Sequence, residues 1–234
     1  MTRDQPTASE VVSSLRFPRQ AYPNLYLNKE RIAQRFRGYL GSIADFRKSA
    51  ERTVGGDAKV KALFVEAGVQ GAGVTGADVG YDLGDPLAQA LVLRAYLANS
   101  GELRMNTRAA PVTDFTLARG DGDLISPQDV FDNSSWKRHS VAAGVVAEIA
   151  AEQQRQSVIA TSEDPYPLYW ITFVRSEVGL AVSLLGAASL FGSDVRSWMG
   201  VDMTYCIFGQ KIRDWPSWSL VSPLHVWIEP PSAR

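Results

Sequence analysis

Apolar residues recur at helical spacing in two stretches of the N-terminal half, and each stretch has its own start and stop signals. The first predicts an amphipathic helix that begins after the candidate N-cap Asn28 and runs to about residue 52. The second predicts a helix from Pro86, capped by Asp85, to the closing Gly101. In the first stretch the apolar residues follow at intervals of four, four, three and three: Ile32, Phe36, Leu40, Ile43 and Phe46.

Four short runs of β-branched and aromatic residues predict strands, at 112–118, 168–174, 203–210 and 220–228. The stretch 58–83 contains too much glycine for a helix interior and predicts a hairpin with strands at 62–69 and 74–83. A third helix is predicted over 135–156, where Val141, Val145 and Ile149 step by four residues.

These elements together predict an α+β fold with three main helices, a glycine-rich hairpin and a C-terminal antiparallel sheet, because strands and helices do not alternate strictly. Residues 1–24 are polar and contain three prolines, which predicts an extended N-terminal arm. Residues 25–234 are expected to form a single α+β domain. A subdomain boundary near 157–167, where Pro165 and Pro167 interrupt the pattern, is the alternative division.

The composition of the 234-residue chain excludes several classes of protein. Its net charge of −1 argues against a dedicated nucleic-acid binder, because such affinity comes mostly from neutralised phosphates. The chain has two histidines, His139 and His225, and one cysteine, Cys206, which excludes disulfide scaffolds and Cys/His-rich metal sites. No nucleophile elbow, Walker A sequence or zinc-protease motif occurs.

Two further stretches of the sequence bear on the cellular compartment and on whether the chain spans a membrane. The first fifteen residues lack the apolar core of a secretory signal, and a lone cysteine fits a reducing compartment, so a cytoplasmic location is expected. The longest uncharged stretch, 178–193, has sixteen residues and is bounded by charged positions. Since a membrane span needs about 20 apolar residues, this stretch predicts a buried helix or strand pair and no membrane span.

The glycines at 71, 73 and 76 match the G-x-G-x-x-G pattern of dinucleotide-binding proteins. That pattern binds pyrophosphate where a helix begins directly after it, whereas here more glycines follow, and then Asp85 and Pro86. We therefore interpret the match as part of the glycine-rich hairpin and predict no cofactor.

Acidic residues at 121–132 form a candidate metal site. Asp121, Asp123 and Asp129 could together bind a divalent cation and support carboxylate chemistry. A tight turn that leads into a helical segment starting at Ser126 accounts for the same residues without a metal.

Two features favour binding. The segment 29–52 carries seven basic and three acidic residues, and Arg31 and Arg35 lie four residues apart on one side of its helix. This face could attract a phosphate or an acidic partner, and a solvated polar face is the alternative. Trp215 and Trp218 lie in a Trp-Pro-Ser-Trp turn, where an exposed indole would anchor a ligand and core packing is the alternative.

Several segments resemble an uncharacterised bacterial family whose members open with a Tyr-Leu-Asp strand end followed by a helix. They are Tyr-Leu-Asn at 26–28 with the helix after it, the glycine-rich 67–80, and the leucine-rich helix that ends in Gly-Glu-Leu at 101–103. The resemblance covers residues 25–105, and Asn28 stands where that family has aspartate. It implies no activity and no catalytic residue.

No group of residues with catalytic spacing stands out, so we expect a non-catalytic protein rather than an enzyme. It would bind a protein partner or a small anionic ligand through the basic helix face (Arg31, Arg35) and the C-terminal aromatic residues (Trp215, Trp218). One alternative is a metal-dependent enzyme that uses the acidic turn at 121–132. Another is a self-associating structural protein, a homo-oligomer in which the apolar stretch 178–192 packs against a second copy.

Overall fold

The computed structural model of the protein describes residues 6–7, 10–11, 24–46, 48, 83–105, 107–125, 169–176, 179–186, 190, 203–216 and 218–229. Strand β1 (Asn24–Leu27) leads into helix α1 (Lys29–Leu40), and helix α2 (Pro86–Asn99) is followed by the short strand β2 (Leu103–Arg104). The longer strands are β3 (Phe115–Ile125), β4 (Tyr169–Ser176), β5 (Gly179–Gly186), β6 (Thr204–Asp214) and β7 (Trp218–Glu229).

The five longer strands close into a barrel. β3 pairs with β4, β4 with β5, β5 with β7, β7 with β6, and β6 pairs again with β3. Every neighbouring pair in this ring is antiparallel except β5 and β7, which run parallel over 180–183 and 218–221. The ring is therefore a closed five-stranded barrel with one parallel pair.

Consecutive residues of β6 and β7 face two different hydrophobic cores, because side chains alternate along a strand. Tyr205 and Ile207 lie in the barrel core, whereas Cys206 and Phe208 lie in a second core under the helices. The barrel core also contains Ala118, Leu124, Val174, Leu185, Val226 and Ile228. The second core contains Ile32, Phe36, Val92, Leu93, Leu97 and Trp227.

Both predicted helix starts are confirmed, and the first helix is shorter than predicted. Asn28 and Asp85 accept hydrogen bonds from the backbone N–H groups of the first turns of α1 and α2. α1 ends at Leu40 because Gly41 turns the chain with a φ of 76°. A separate helical turn at 43–46 then extends the apolar face, and Phe46 packs edge-on against Phe36 at 5.8 Å.

The predicted α+β fold with three main helices, a glycine-rich hairpin and a C-terminal antiparallel sheet is wrong. The described part of the chain has more strand than helix, with a closed five-stranded barrel and three short helices. The predicted strands at 203–210 and 220–228 are confirmed as parts of β6 and β7, but these belong to the barrel. Local patterns identify strands, whereas barrel closure depends on pairing between distant strands such as β5 and β7.

Some predictions concern regions that the structure does not describe. The glycine-rich hairpin at 62–83, the helix over 135–156 and the boundary near 157–167 fall outside the described residues, apart from residue 83. The predicted arm over 1–24 is described only at 6–7, 10–11 and 24. The stretch 178–193, predicted as a helix or strand pair, contributes strand β5. Of the helices described, none has the length and apolar character needed to cross a membrane.

A buried lysine lies at the end of the barrel beside the β6–β7 turn. The Lys211 side chain is 1% exposed, and its Nζ donates to the carbonyl oxygens of Arg108 (3.1 Å) and Ala110 (2.7 Å) and to the Asp214 carboxylate (2.8 Å). Asp214 also accepts a hydrogen bond from Ser219 Oγ at 2.6 Å. The three protons of the ammonium group therefore have three acceptors, which offsets the cost of burying its charge.

We expect Lys211→Ala to lower the free energy of unfolding by about 3 kcal/mol, because it leaves two carbonyl groups without their donor and removes one of the two cations that pair with Asp214. Arg104→Ala is the comparison, since it removes the more exposed Arg104–Asp114 ion pair (3.2 Å) and should cost no more than about 1 kcal/mol. Urea unfolding measures both values. Equal losses in the two variants would contradict a special role for Lys211.

Candidate functional site

Helix α1 begins directly on strand β7. The backbone N–H of Asn28 donates to the carbonyl oxygen of Leu224 at 2.9 Å, and Asn28 Oδ1 accepts from the backbone N–H of Arg31 at 3.1 Å. Ile32 and Phe36 point into the core below the helix, because they lie one turn apart on its apolar face. The same helical spacing places Arg31 and Arg35 together beside the β6–β7 hairpin.

Neutral side chains of that hairpin hold both guanidinium groups. Arg31 Nη1 donates to Ser222 Oγ, and Arg35 Nη2 donates to Gln210 Oε1 at 3.0 Å. Arg35 Cζ also lies 5.9 Å from the centroid of the Phe115 ring, in cation–π range. Within the described ranges, neither arginine forms an ion pair with a carboxylate.

The two positive charges are close enough to influence each other. Burial lowers the pKa of Arg31, and the charge of Arg35 lowers it further, while the Tyr26 hydroxyl acts in the opposite direction. Both groups stay protonated because an arginine side chain keeps its proton at any physiological pH. Like charges at this helical spacing destabilise a helix by about 0.2–0.5 kcal/mol per pair.

A close approach between β6 and β7 puts the two anchoring residues side by side. Gln210 and Ser222 are register partners, directly after a β-bulge between Phe208 and Gly209. A Cβ atom at Gly209 would lie 2.3 Å from the carbonyl oxygen of Ser222, so the two strands can approach this closely only with glycine at position 209.

The two tryptophans of the β6–β7 turn stack on each other. The Trp215 and Trp218 rings stack with centroids 3.8 Å apart and an interplanar angle of 9°, and Trp218 is buried. The Arg108 guanidinium donates to the carbonyl oxygens of Trp215 (2.6 Å), Pro216 (2.9 Å) and Trp218 (3.0 Å). A Cβ atom at Gly179 would lie 2.4 Å from Arg108 Cγ, so the stem of this arginine fills the space above β5. The turn is therefore held by contacts within the molecule.

The predicted site residues that the structure describes lie at three separate places along β6 and its neighbours. Gln210, beside Arg35, lies four positions before Asp214 of the aromatic turn, which is about 13 Å along a strand. Asp121 pairs with Thr204 at the opposite end of β6, about 20 Å from Gln210. The structure brings Arg31 and Arg35 together and keeps Trp215 and Trp218 together, but it separates these pairs from each other along β6 and places Asp121 at the far end of that strand.

The acidic residues provide no metal site in the described part of the chain. Asp121 and Asp123 both lie on β3, and Asp123 Oδ1 accepts a hydrogen bond from the backbone N–H of Leu124 at 2.7 Å. Asp129 lies outside the described residues. Where the structure describes the chain, no three His, Cys, Asp or Glu side chains are grouped to hold a metal ion.

The cysteine and the described histidine are buried and neutral. Burial raises the pKa of the Cys206 thiol, and the Glu229 carboxylate beside it raises the pKa further. Burial lowers the pKa of His225 to about 3, and the nearby Arg94 adds to this effect. His225 donates from Nε2 to Asn24 Oδ1 at 2.7 Å, since an amide oxygen can only accept. A neutral buried thiol is inert, so Cys206 is a structural residue.

Comparisons with family models, curated proteins and solved structures found no match for this chain. The resemblance of residues 25–105 to an uncharacterised bacterial family stays a prediction. Sequence reasoning identified Arg31 and Arg35 but missed Gln210 and Ser222, the residues that hold them. The only feature that could have indicated these two residues is that each is polar within a strand that is otherwise mostly buried.

We expect acid to destabilise the protein through His225. An unfolded histidine has a pKa of about 6.5, so below that pH it binds a proton that His225 does not bind in the folded protein. The unfolded state therefore gains protons first, and stability falls as the pH drops below about 6.5 and continues to fall towards the folded pKa of about 3. Between pH 7 and about pH 4 this group removes at most about 3 kcal/mol.

Urea unfolding at a series of pH values measures this loss, with His225→Gln as the control, because glutamine does not titrate. The slope of the free energy of unfolding against pH should be smaller in His225→Gln, whatever its absolute stability. Parallel slopes in the two proteins would contradict the assignment to His225.

Proposed function

We propose that the protein is a non-catalytic binding protein whose ligand is a small oxyanion, held by Arg31 and Arg35 where α1 meets the β6–β7 hairpin. One observation carries the proposal. Two half-buried guanidinium groups lie one helical turn apart, and each is anchored by a neutral side-chain oxygen, Gln210 Oε1 for Arg35 and Ser222 Oγ for Arg31.

A purely structural role predicts a different set of partners. A partly buried arginine that only stabilises a fold is best paired with a carboxylate, as Arg108 is with Asp214 at 2.9 Å. Ser222 and Gln210 accept hydrogen bonds from Arg31 and Arg35 and so orient them, but among the described residues no carboxylate forms an ion pair with either guanidinium. A bound anion would remove the repulsion between them, and the planar guanidinium fork matches the geometry of an oxyanion.

The neighbouring hydroxyl groups add hydrogen-bond donors. Ser222 Oγ accepts from Arg31, so its own proton is left to donate. The Tyr26 hydroxyl accepts from Asn28 Nδ2 at 3.1 Å and interacts electrostatically with Arg31, and it too keeps a proton to donate. The polar groups around the arginine pair therefore favour an acceptor-rich ligand, as a fully deprotonated oxyanion is.

The aromatic turn does not belong to this proposed site. Trp218 is buried, and Trp215 stacks on it at the end of the hairpin. The barrel architecture contributes nothing to the choice of ligand either, because a fold by itself does not specify a function. The proposal depends on the arginine pair alone.

Inorganic phosphate is a direct probe of the site. We expect phosphate, titrated into the full chain at constant ionic strength with chloride as the balancing salt, to raise the thermal unfolding temperature. At a hundredfold excess over the Kd, binding adds about 2.7 kcal/mol to stability, which is a shift of several degrees. Calorimetric titration measures the Kd directly.

The variant Arg31→Gln/Arg35→Gln should lose this phosphate-dependent shift, because it removes both charges and keeps polar side chains in their place. Arg37→Gln is the matched control. Arg37 is exposed on the same helix, and its side chain donates only to the carbonyl oxygen of Ala33 at 3.4 Å. No shift in the natural chain, or an equal shift in the double variant, would overturn the proposal.

A further inference from the structure

Gln210 is the most constrained residue of the proposed site. Its Oε1 accepts from Arg35 Nη2 at 3.0 Å, and its Nε2 donates to the carbonyl oxygen of Thr113 at 2.6 Å. A guanidinium group can only donate and a carbonyl oxygen can only accept, so the amide has one orientation that satisfies both contacts. The oxygen of Gln210 therefore faces Arg35, and Arg35 is held without an opposing charge.

The Thr113 carbonyl belongs to a strained backbone segment that hydrogen bonds to Lys211 hold in place. Thr113 has a φ of 87°, a conformation that a β-branched residue rarely adopts. Its N–H donates to the carbonyl oxygen of Lys211 at 2.8 Å, and the N–H of Lys211 donates to the carbonyl oxygen of Asp114 at 2.9 Å. Thr113 and Asp114, which precede β3, thus both lie opposite Lys211 of β6. This arrangement directs the Thr113 carbonyl at the Gln210 amide.

The chemistry of this contact determines how much positive charge the site offers. A glutamate at position 210 would form an ion pair with Arg35 and would leave the two arginines with one net positive charge between them. The amide fixes the same guanidinium and leaves both charges available. A singly charged carboxylate would then compensate one of them, whereas a phosphoryl group, which carries close to two negative charges near neutral pH, would compensate both.

We infer that Gln210 is a specificity-determining residue of the proposed site, which orients Arg35 through a neutral amide so that the arginine pair selects a doubly charged phosphoryl group over a carboxylate. The inference rests on the proposed function. Gln210 is a positioning residue, since it acts through Arg35 and not through contact with the ligand.

The test compares two ligands and two variants of the full chain. Calorimetric titration with inorganic phosphate and with acetate, at about pH 8 and constant ionic strength, gives the ratio of their affinities. In the natural chain we expect phosphate to bind at least about tenfold more tightly than acetate, or about 1.4 kcal/mol. Gln210→Glu should lower the affinity for phosphate about tenfold and change that for acetate much less, so the ratio approaches one.

Gln210→Ala separates the charge effect from the loss of the anchor. Alanine removes the hydrogen bond to Arg35 but adds no negative charge, so both affinities should fall by a similar factor and the ratio should persist. A residue that only supports the local fold would give the same ratio in both variants. Thermal unfolding without ligand shows whether each variant is folded.

The outcomes distinguish this inference from the function on which it rests. If the natural chain does not bind phosphate, or Arg31→Gln/Arg35→Gln binds it equally well, the proposed function fails. If phosphate binding depends on the arginines but Gln210→Glu keeps the preference for phosphate over acetate, only the role of Gln210 is overturned. A natural chain that binds acetate as tightly as phosphate overturns it too.

Discussion

The β6–β7 hairpin is covered by apolar side chains on both of its faces, and the rest of the described structure depends on that constraint. One face closes the barrel with β3, β4 and β5, and the other lies under α1 and α2. A strand buried on both faces cannot shift its register without placing apolar residues in the wrong core. The hairpin is therefore a fixed platform, and the helices pack against it at defined positions.

Buried and half-buried positive charges at this platform have two different kinds of hydrogen-bond partner. Lys211 has an acceptor for each of its protons, including the Asp214 carboxylate. Burial would raise the pKa of Asp214, but hydrogen bonds from Lys211 and Ser219 and nearby positive charges outweigh it and lower the pKa. Arg31 and Arg35, by contrast, are held by neutral side chains among the described residues. This contrast between two places on one hairpin is the reason why we propose a structural role for the lysine and a binding role for the arginines.

Features that depend on residues close together in the sequence were predictable. Of the candidate site, the arginines were predictable but their anchors were not. The caps Asn28 and Asp85 and the apolar stripe of α1 depend on interactions within a few residues, so the pattern of side chains reveals them. The anchors Gln210 and Ser222 lie about 180 residues after the arginines they hold. Nothing in the spacing of polar residues along β6 or β7 indicates that two of them face α1.

The sequence alone determined the starts of both helices, the approximate positions of the C-terminal strands and the pairing of Arg31 with Arg35 on one helix face. It did so because helical and strand periods are local properties of the chain. Only the tertiary structure decided that the strands form a closed barrel and that the two arginines are held by uncharged partners. Parallel pairing of β5 with β7 and the close approach at Gly209 involve residues far apart in the chain. Such contacts depend on the packing of the whole domain, and local patterns do not encode them.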